Sequence, residues 1–339
     1  MASHLVTLRN GIQMPRLGFG TWQLRDELCF NSVCSALKQG YQLIDTASSY
    51  QNHLFVGKAL KEAEYKKPAF LFDTANNNNI FVTTKVSVTE MGYEKAYASV
   101  IRSLEQLGMD TIDLVLLHFP GASKDILFGN VISMCFHVVE DIAYDLLHPL
   151  ISESFNNFLK TMSAGSSGVD ASSPQNREIR RESWRALEKL YEEKRVRAIG
   201  VSNYQVNHLN HLLEDKAVIV PQVNQVELHP FLQNKELEEW AKAHSMYIQS
   251  YSTLGSGNAE LLENPTISTI AKEVGYTTAQ VILRWALHRN FLIIPRSSNV
   301  KRIEENFKCT EFSLSEAQVE KISALESGKR YCWNPTKIA

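Results

Sequence analysis

Apolar residues cluster in short runs along the chain, at 17–22, 42–45, 80–85, 113–118, 197–202, 222–227, 247–251 and 292–296. Between most of these runs the apolar positions recur at helical spacing, over 27–39, 52–64, 94–107, 183–194, 205–214, 235–244 and 278–289. Runs bounded by helical patterns predict strands that alternate with helices. Leu114-Val115-Leu116-Leu117 and Leu292-Ile293-Ile294 are apolar on both faces, as a parallel sheet covered by helices requires. Eight strands is the number that closes a parallel sheet, so the expected class is α/β, a (β/α)8 TIM barrel. Ahead of it, Val6-Thr7-Leu8-Arg9, Asn10-Gly11 and Ile12-Gln13-Met14 read as a β-hairpin on a type I′ turn. Gly18-Phe19-Gly20-Thr21-Trp22 lacks the third glycine of a dinucleotide fingerprint, which disfavours a Rossmann domain. The whole of 1–339 reads as one barrel domain.

Two stretches break the alternation. Residues 72–79 end in four asparagines before a strand, the composition of an exposed loop. A second stretch, about 124–166, is a long insertion after the fourth strand, far beyond the roughly 2–6 residues of most βα connections. It contains Ile126-Leu127-Phe128, Val131-Ile132 and Phe158-Leu159, then the linker-like Ala164-Gly165-Ser166-Ser167-Gly168. Joining Gly121-Ala122-Ser123 to Ser167-Gly168-Val169 restores an ordinary connection. The insertion reads as a lid, an appendage or a non-native segment, and its deletion is expected to preserve folding.

Composition narrows the function classes. With 44% hydrophobic and 21% charged residues the chain can pack a globular core, and a net charge of −2 argues against nucleic-acid or membrane-surface partners. The five cysteines, Cys29, Cys34, Cys135, Cys309 and Cys332, lack paired spacing and read as reduced thiols. Met1-Ala2-Ser3-His4 opens no secretory signal, and the uncharged-looking stretch 126–139 is too short to span a bilayer. A cytoplasmic monomer is the expectation. No metal site is expected: Cys135, His137 and His148 make no ligand set, and no His-x-His ends a strand.

Asp45, Lys85 and His118 each close an apolar run, and Tyr50 lies in the loop after Asp45. In a barrel these positions share the catalytic face. Reducing a carbonyl without a metal requires a nicotinamide hydride and a proton for the nascent alkoxide. A tyrosine, with a reference pKa of about 10, keeps a proton to give. Lys85 would lower that pKa and stabilise the phenolate, Asp45 would hold the lysine charged, and His118 would bind the carbonyl oxygen or relay the proton. Each residue alone has an ordinary structural reading; the four in order do not.

Outside the insertion the chain resembles the aldo-keto reductase family. Leu43-Ile44-Asp45-Thr46-Ala47-x-x-Tyr50, followed by Asn52 and Val56-Gly57, is similar to its aspartate–tyrosine signature. Thr83-Thr84-Lys85 and Leu114-Val115-Leu116-Leu117-His118-Phe119-Pro120 resemble its lysine and histidine strands. Most specific are Arg197-Ala198-Ile199-Gly200-Val201-Ser202-Asn203 and Gln222-Val223-Asn224-Gln225-Val226-Glu227-Leu228-His229-Pro230. The resemblance implies reduction of a small carbonyl substrate with NADPH extended across the C-terminal face of the barrel. It implies cofactor contacts from Gly20, Thr21 and Trp22, nicotinamide carboxamide contacts from Ser202, Asn203 and Gln225, and stacking by Tyr251. Ser252, Leu254 and Ser256 would underlie the pyrophosphate, Arg296, Ser297, Asn299 and Arg302 would meet the adenosine phosphate, and Glu305 and Asn306 the adenine. Two arginines and a hydroxyl suit a 2′-phosphate, so NADPH is favoured over NADH. Trp22, Phe119 and Trp333 would line an apolar substrate pocket for aromatic or medium-chain carbonyls.

Three positions depart from the pattern. His53 stands where a glutamate is common, Arg296 where lysine is common, and Phe119 where tryptophan is common. The tail Arg330-Tyr331-Cys332-Trp333-Asn334-Pro335 is short, which predicts a more open pocket. Against the reductase reading stand a non-catalytic cofactor-binding barrel with a blocked mouth and a metal-dependent barrel hydrolase. The intact tetrad disfavours the first, the missing ligand clusters the second.

Overall fold

The computed structural model describes residues 4–63, 80–121 and 169–339. The insertion at 124–166 and the asparagine tract lie outside the described residues. Strands β1 (Leu5–Thr7) and β2 (Gln13–Pro15) form the antiparallel hairpin. Eight further strands follow: β3 (Phe19–Gly20), β4 (Leu43–Asp45), β5 (Phe81–Val86), β6 (Ile112–Leu117), β7 (Val196–Ser202), β8 (Val223–Glu227), β9 (Tyr247–Tyr251) and β10 (Leu292–Ile293). They lie side by side in chain order, each pair parallel. The first edge meets the last: Leu17 bridges Ile293, and Gly18 N and Gly20 N donate to Ile293 O (2.8 Å) and Pro295 O (3.1 Å). Gly20 permits this approach, since a Cβ there would sit 2.9 Å from the Ile294 carbonyl oxygen.

Alternation along each strand sorts side chains between two cores. Leu43, Phe81, Leu114, Leu116, Ala198, Val223 and Leu292 fill the barrel with Val6, Leu8 and Met14 of the hairpin, which plugs it. Ile44, Val82, Val115, Leu117, Ile199, Val201 and Ile293 point outward beneath the helices. A fully buried ring such as Phe81 contributes heavily here; truncation to alanine costs about 3–5 kcal/mol in such a core.

Two expectations about local structure are corrected. The hairpin turn is not type I′: Gly11 alone of the Asn10-Gly11 pair has positive φ (84°), and Gly11 N donates to Leu8 O (2.9 Å). That is a type I turn followed by a left-handed glycine. The helix expected over 183–194 runs over Gln175–Glu192, because Pro174 provides its N-terminal boundary and charged residues extend its first turns. The ring of helices is α1 (Asp26–Gln39), α2 (His53–Glu62), α3 (Tyr93–Leu107), α4 (Gln175–Glu192), α5 (Val206–Glu214), α6 (Lys235–Ala243), the short α7 (Ala259–Leu262), α8 (Pro265–Val274), α9 (Thr278–His288), α10 (Val300–Phe307) and α11 (Glu316–Ser323).

Candidate active site

Strand parity decides which side chains meet. Leu43 and Phe81 point into the barrel, so Asp45 and Lys85, two and four residues on, point inward near its upper end. Val223 does the same for Gln225. Lys85 Nζ donates to Asp45 Oδ1 at 2.5 Å, to the Thr46 carbonyl oxygen at 2.9 Å and to Tyr50 Oη at 3.1 Å. Gln225 Nε2 donates to the other Asp45 oxygen at 2.7 Å and to Gln249 Oε1 at 2.8 Å. The His118 ring lies edge-on to Tyr50, with centroids 5.6 Å apart. The structure therefore brings all four expected residues together.

Tyr50 stands on a loop, and buried polar residues fix that loop. Asn52 Nδ2 donates to the carbonyl oxygens of Thr21 and Leu24, both at 2.9 Å, while Asn52 Oδ1 accepts from Thr46 Oγ1 at 2.6 Å. Ser48 Oγ donates to Glu90 Oε2 at 2.6 Å, which ties the turn carrying Tyr50 to the exit of β5. Four hydrogen bonds, from Ser48, Ser99, Arg102 and the Ser87 backbone, more than offset burial and hold the Glu90 carboxyl below its usual range.

The site holds one buried cation among neutral donors. Burial opposes the charge on Lys85, but Asp45 and Tyr50 beside it raise its pKa above the ordinary lysine value. The ammonium thus stays charged, and with Gln225 it keeps Asp45 in the role of counterion despite the upward pull of burial on that carboxyl. Burial pushes Tyr50 above its ordinary value while Lys85 pulls it down. That corrects the expected lowering: in this environment burial outweighs the ammonium, and Tyr50 is a protonated phenol at neutral pH. Burial, then Lys85, drives His118 well below its usual value, so its imidazole is neutral. Among the described residues His53 forms no ion pair in place of the missing glutamate. Its ring nitrogens meet Gln106 Oε1 (3.2 Å) and Thr84 Oγ1 (2.9 Å), and burial lowers it to about 4.

The residues expected at the nicotinamide form one connected chain. Tyr251 Oη donates to Asn203 Oδ1 (2.7 Å), Asn203 Nδ2 to Ser202 Oγ (3.1 Å) and His118 O (2.9 Å), and Ser202 Oγ to Gln225 O (2.7 Å). Thr21 Oγ1 donates to Asp45 O at 2.9 Å beside Gly20. Ser252 (φ 49°), Gly255 (φ 60°) and Ser256 (φ 55°) are left-handed around Leu254, and Gly255 N and Gly257 N donate to Ser252 O (2.8 Å) and Leu254 O (3.0 Å), so the segment is a run of tight turns. Arg296 reaches back to Trp22 O and Gln23 Oε1, both at 2.9 Å. Ser297 Oγ accepts from Asn299 N, and Asn299 Oδ1 caps α10 through Lys301 N (2.9 Å) and Arg302 N (3.3 Å). Arg302 is exposed in that first turn. Glu305 Oε1 accepts from Thr277 Oγ1 at 2.7 Å, and Asn306 is buried. These hydroxyls, cations and a helix N-terminus suit a polyanionic nucleotide.

Trp22 and Trp333 meet edge to face at 5.9 Å, and Trp333 packs against Phe119, Val88 and Ile338. The short tail is thus packed against Trp22 and Phe119, the other two residues expected in the substrate pocket. Three participants escaped the sequence reading: Gln249, which supports Gln225; Thr46, whose carbonyl accepts from Lys85; and Glu227, which holds the tail. Inward parity from Val223 and from Gln249's place in β9 marked two of them; nothing local marked the Thr46 carbonyl. Among the described residues no group of three His, Cys, Asp or Glu could hold a metal ion, and no helix is long and apolar enough to cross a membrane.

The model of the Aldo/keto reductase family matches residues 16–327. The chain is 36% identical to 9,11-endoperoxide prostaglandin H2 reductase of Trypanosoma cruzi, over 97% of this chain and 94% of that protein. It is 34% identical to glyoxal reductase of Bacillus subtilis, over 98% and 96%. Among solved structures, MGS-M4, an aldo-keto reductase from a Medee basin deep-sea metagenome library, superposes with a TM-score of 0.74 at 33% identity, covering 96% of both chains. A Gox0644 mutant in complex with NADPH superposes with a TM-score of 0.74 at 28% identity, over 99% of this chain and 98% of that one.

Proposed function

The chain belongs to the aldo/keto reductase family, and from that premise we propose that it reduces aldehydes or ketones to alcohols with NADPH, Tyr50 supplying the proton. The single observation that carries this reading is Lys85 Nζ, buried and bonded at once to Asp45 and to Tyr50 Oη. A bound NADPH supplies the hydride for the carbonyl carbon. Ser202, Asn203, Gln225 and Tyr251 would hold its nicotinamide, Ser252 and Ser256 its pyrophosphate, and Arg296 and Arg302 its adenosine phosphate. The carbonyl oxygen sits between Tyr50 Oη and the neutral His118 imidazole, each able to donate a hydrogen bond. As negative charge builds on that oxygen, Tyr50 transfers its proton, and the phenolate left behind is stabilised by Lys85, whose charge Asp45 maintains. Trp22, Phe119 and Trp333 exclude water and favour aromatic or medium-chain carbonyls; a glyoxal reductase and an aldehyde reductase among the relatives point to aldehydes.

The test is NADPH oxidation with a simple aromatic aldehyde, comparing the parent with Tyr50→Phe. Turnover lost in the variant with NADPH binding retained supports the reading. A parent that binds NADPH tightly but turns over no carbonyl favours the non-catalytic barrel.

A further inference from the structure

Glu227 closes β8, two residues beyond Gln225, with its side chain fully buried. Its Oε2 accepts from Arg330 Nη1 at 3.0 Å. Its Oε1 accepts from Tyr331 N at 2.5 Å, from Cys332 N at 3.1 Å and, with the ring protonated there, from His229 Nε2 at 3.2 Å. Each contact of this carboxylate is a donor, and three come from the segment 330–332. That segment touches both halves of the proposed site. Lys329 pairs with Glu260, and Tyr331 packs on Gly255 in the left-handed loop. Cys332 Sγ lies 3.3 Å from Ser252 Oγ and 3.8 Å from Ser256 Oγ. The next residue is Trp333, the partner of Trp22 in the aromatic wall.

We propose that Glu227 is a positioning residue: it holds 330–333 so that one buried carboxylate sets both the Ser252–Ser256 cofactor loop and the Trp333 wall of the substrate pocket. This rests on the reductase reading for what the two sites bind, but the bonds themselves do not. A strap anchored at one point couples the two sites, so loosening that point weakens both. Glutamine is nearly isosteric, yet its amide N–H group must face either Arg330 or the Tyr331 and Cys332 amides, all of them donors. One set of bonds is therefore lost whichever way the amide turns.

The experiment compares the parent, Glu227→Gln, Arg330→Gln and the double variant Glu227→Gln with Arg330→Gln. The expected result for Glu227→Gln is amide exchange at Tyr331 and Cys332 faster by about tenfold or more, with β8 amides still protected. NADPH Kd and aldehyde KM rise together by roughly tenfold, and kcat changes less than KM. Arg330→Gln gives a smaller rise, and the double variant, which returns an acceptor to the new amide N–H, recovers much of the loss. Unchanged exchange at Tyr331 and Cys332 overturns the proposal. So does faster exchange with Kd and KM unmoved, which would make Glu227 merely structural. If the parent reduces no aldehyde, exchange and NADPH Kd still decide the matter, and the failure belongs to the reductase reading alone. If Glu227→Gln does not fold, an Arg330→Gln variant whose exchange, Kd and KM match the parent's overturns the proposal.

Discussion

The two ends of the proposed cofactor groove are built on opposite plans. At the chemical end Asp45, Lys85 and Gln225 are buried on strands, and their hydrogen bonds are already made. At the nucleotide end Arg302 is exposed in the first turn of α10, while Arg296, at the exit of β10, is partly desolvated and bonded to Trp22 O and Gln23 Oε1. The difference teaches where each task wants its charge. A buried, fixed ammonium needs no rearrangement when charge develops on the substrate, so its field counts most in the transition state. An exposed cation such as Arg302 stays hydrated and screened by salt, which suits selecting a phosphate rather than driving a reaction.

Breaking the buried end should cost most. Lys85→Met leaves the Asp45 carboxylate without its counterion; a stability loss of about 3–5 kcal/mol is expected in denaturant unfolding, together with a loss of turnover of roughly 10²–10⁴. A variant as stable as the parent would show that Asp45 is not held ionised by Lys85.

His53 sharpens the comparison from beneath the same cluster. Its folded pKa of about 4 lies below the unfolded value of 6.5, so the unfolded chain binds the proton more readily. The stability this neutral ring provides is complete above pH 6.5 and is lost as pH falls toward 4, up to about 3 kcal/mol. His53→Gln should flatten that part of the pH dependence, measured as unfolding free energy between pH 7 and pH 4.5. An unaltered slope would contradict it.

At the exposed end, Arg302→Ala should raise the NADPH Kd by roughly 10–100-fold and the NADH Kd far less, because only NADPH carries the 2′-phosphate. The NADPH effect should shrink with added salt. Equal losses for both cofactors would remove Arg302 from the phosphate site. The smallest expected effect is none at all: with His118 neutral down to well below pH 6.5, kcat/KM should show no inflection near that value. An inflection there that vanishes in His118→Ala would mean the imidazole titrates in the working range.

The buried end was legible in the sequence because a residue that closes an apolar run has a simple address in a barrel. Asp45 and Lys85 each close an apolar run, and a barrel gathers such strand ends on one face. Gln225 was expected only from the resemblance, and its inward parity with Val223 became visible once the strand register was known. Helices α8, α10 and α11 were harder to read, since each is only eight to ten residues long and its apolar stripe is correspondingly short. Asn264 before Pro265, Asn299, and Ser315 with Gln318 cap them in the structure, and Ile267, Ile270 and Ala271 in α8, Ile303 in α10, and Val319 and Ile322 in α11 form short buried stripes, so both signals were present over eight to ten residues only. The dominance of burial over Lys85 at Tyr50 was not legible, because desolvation depends on how completely neighbouring loops cover the phenol. Nor was the tether of the tail, since Glu227 and Arg330 are brought together only by the closed barrel.

The division between a chemical end and a selecting end is tested most directly by the single-turnover hydride-transfer rate with saturating NADPH and aldehyde. Tyr50→Phe should slow this step by about 10²–10⁴ while Arg302→Ala leaves it near the parent rate. A transfer step slowed as much by Arg302→Ala as by Tyr50→Phe would contradict the account.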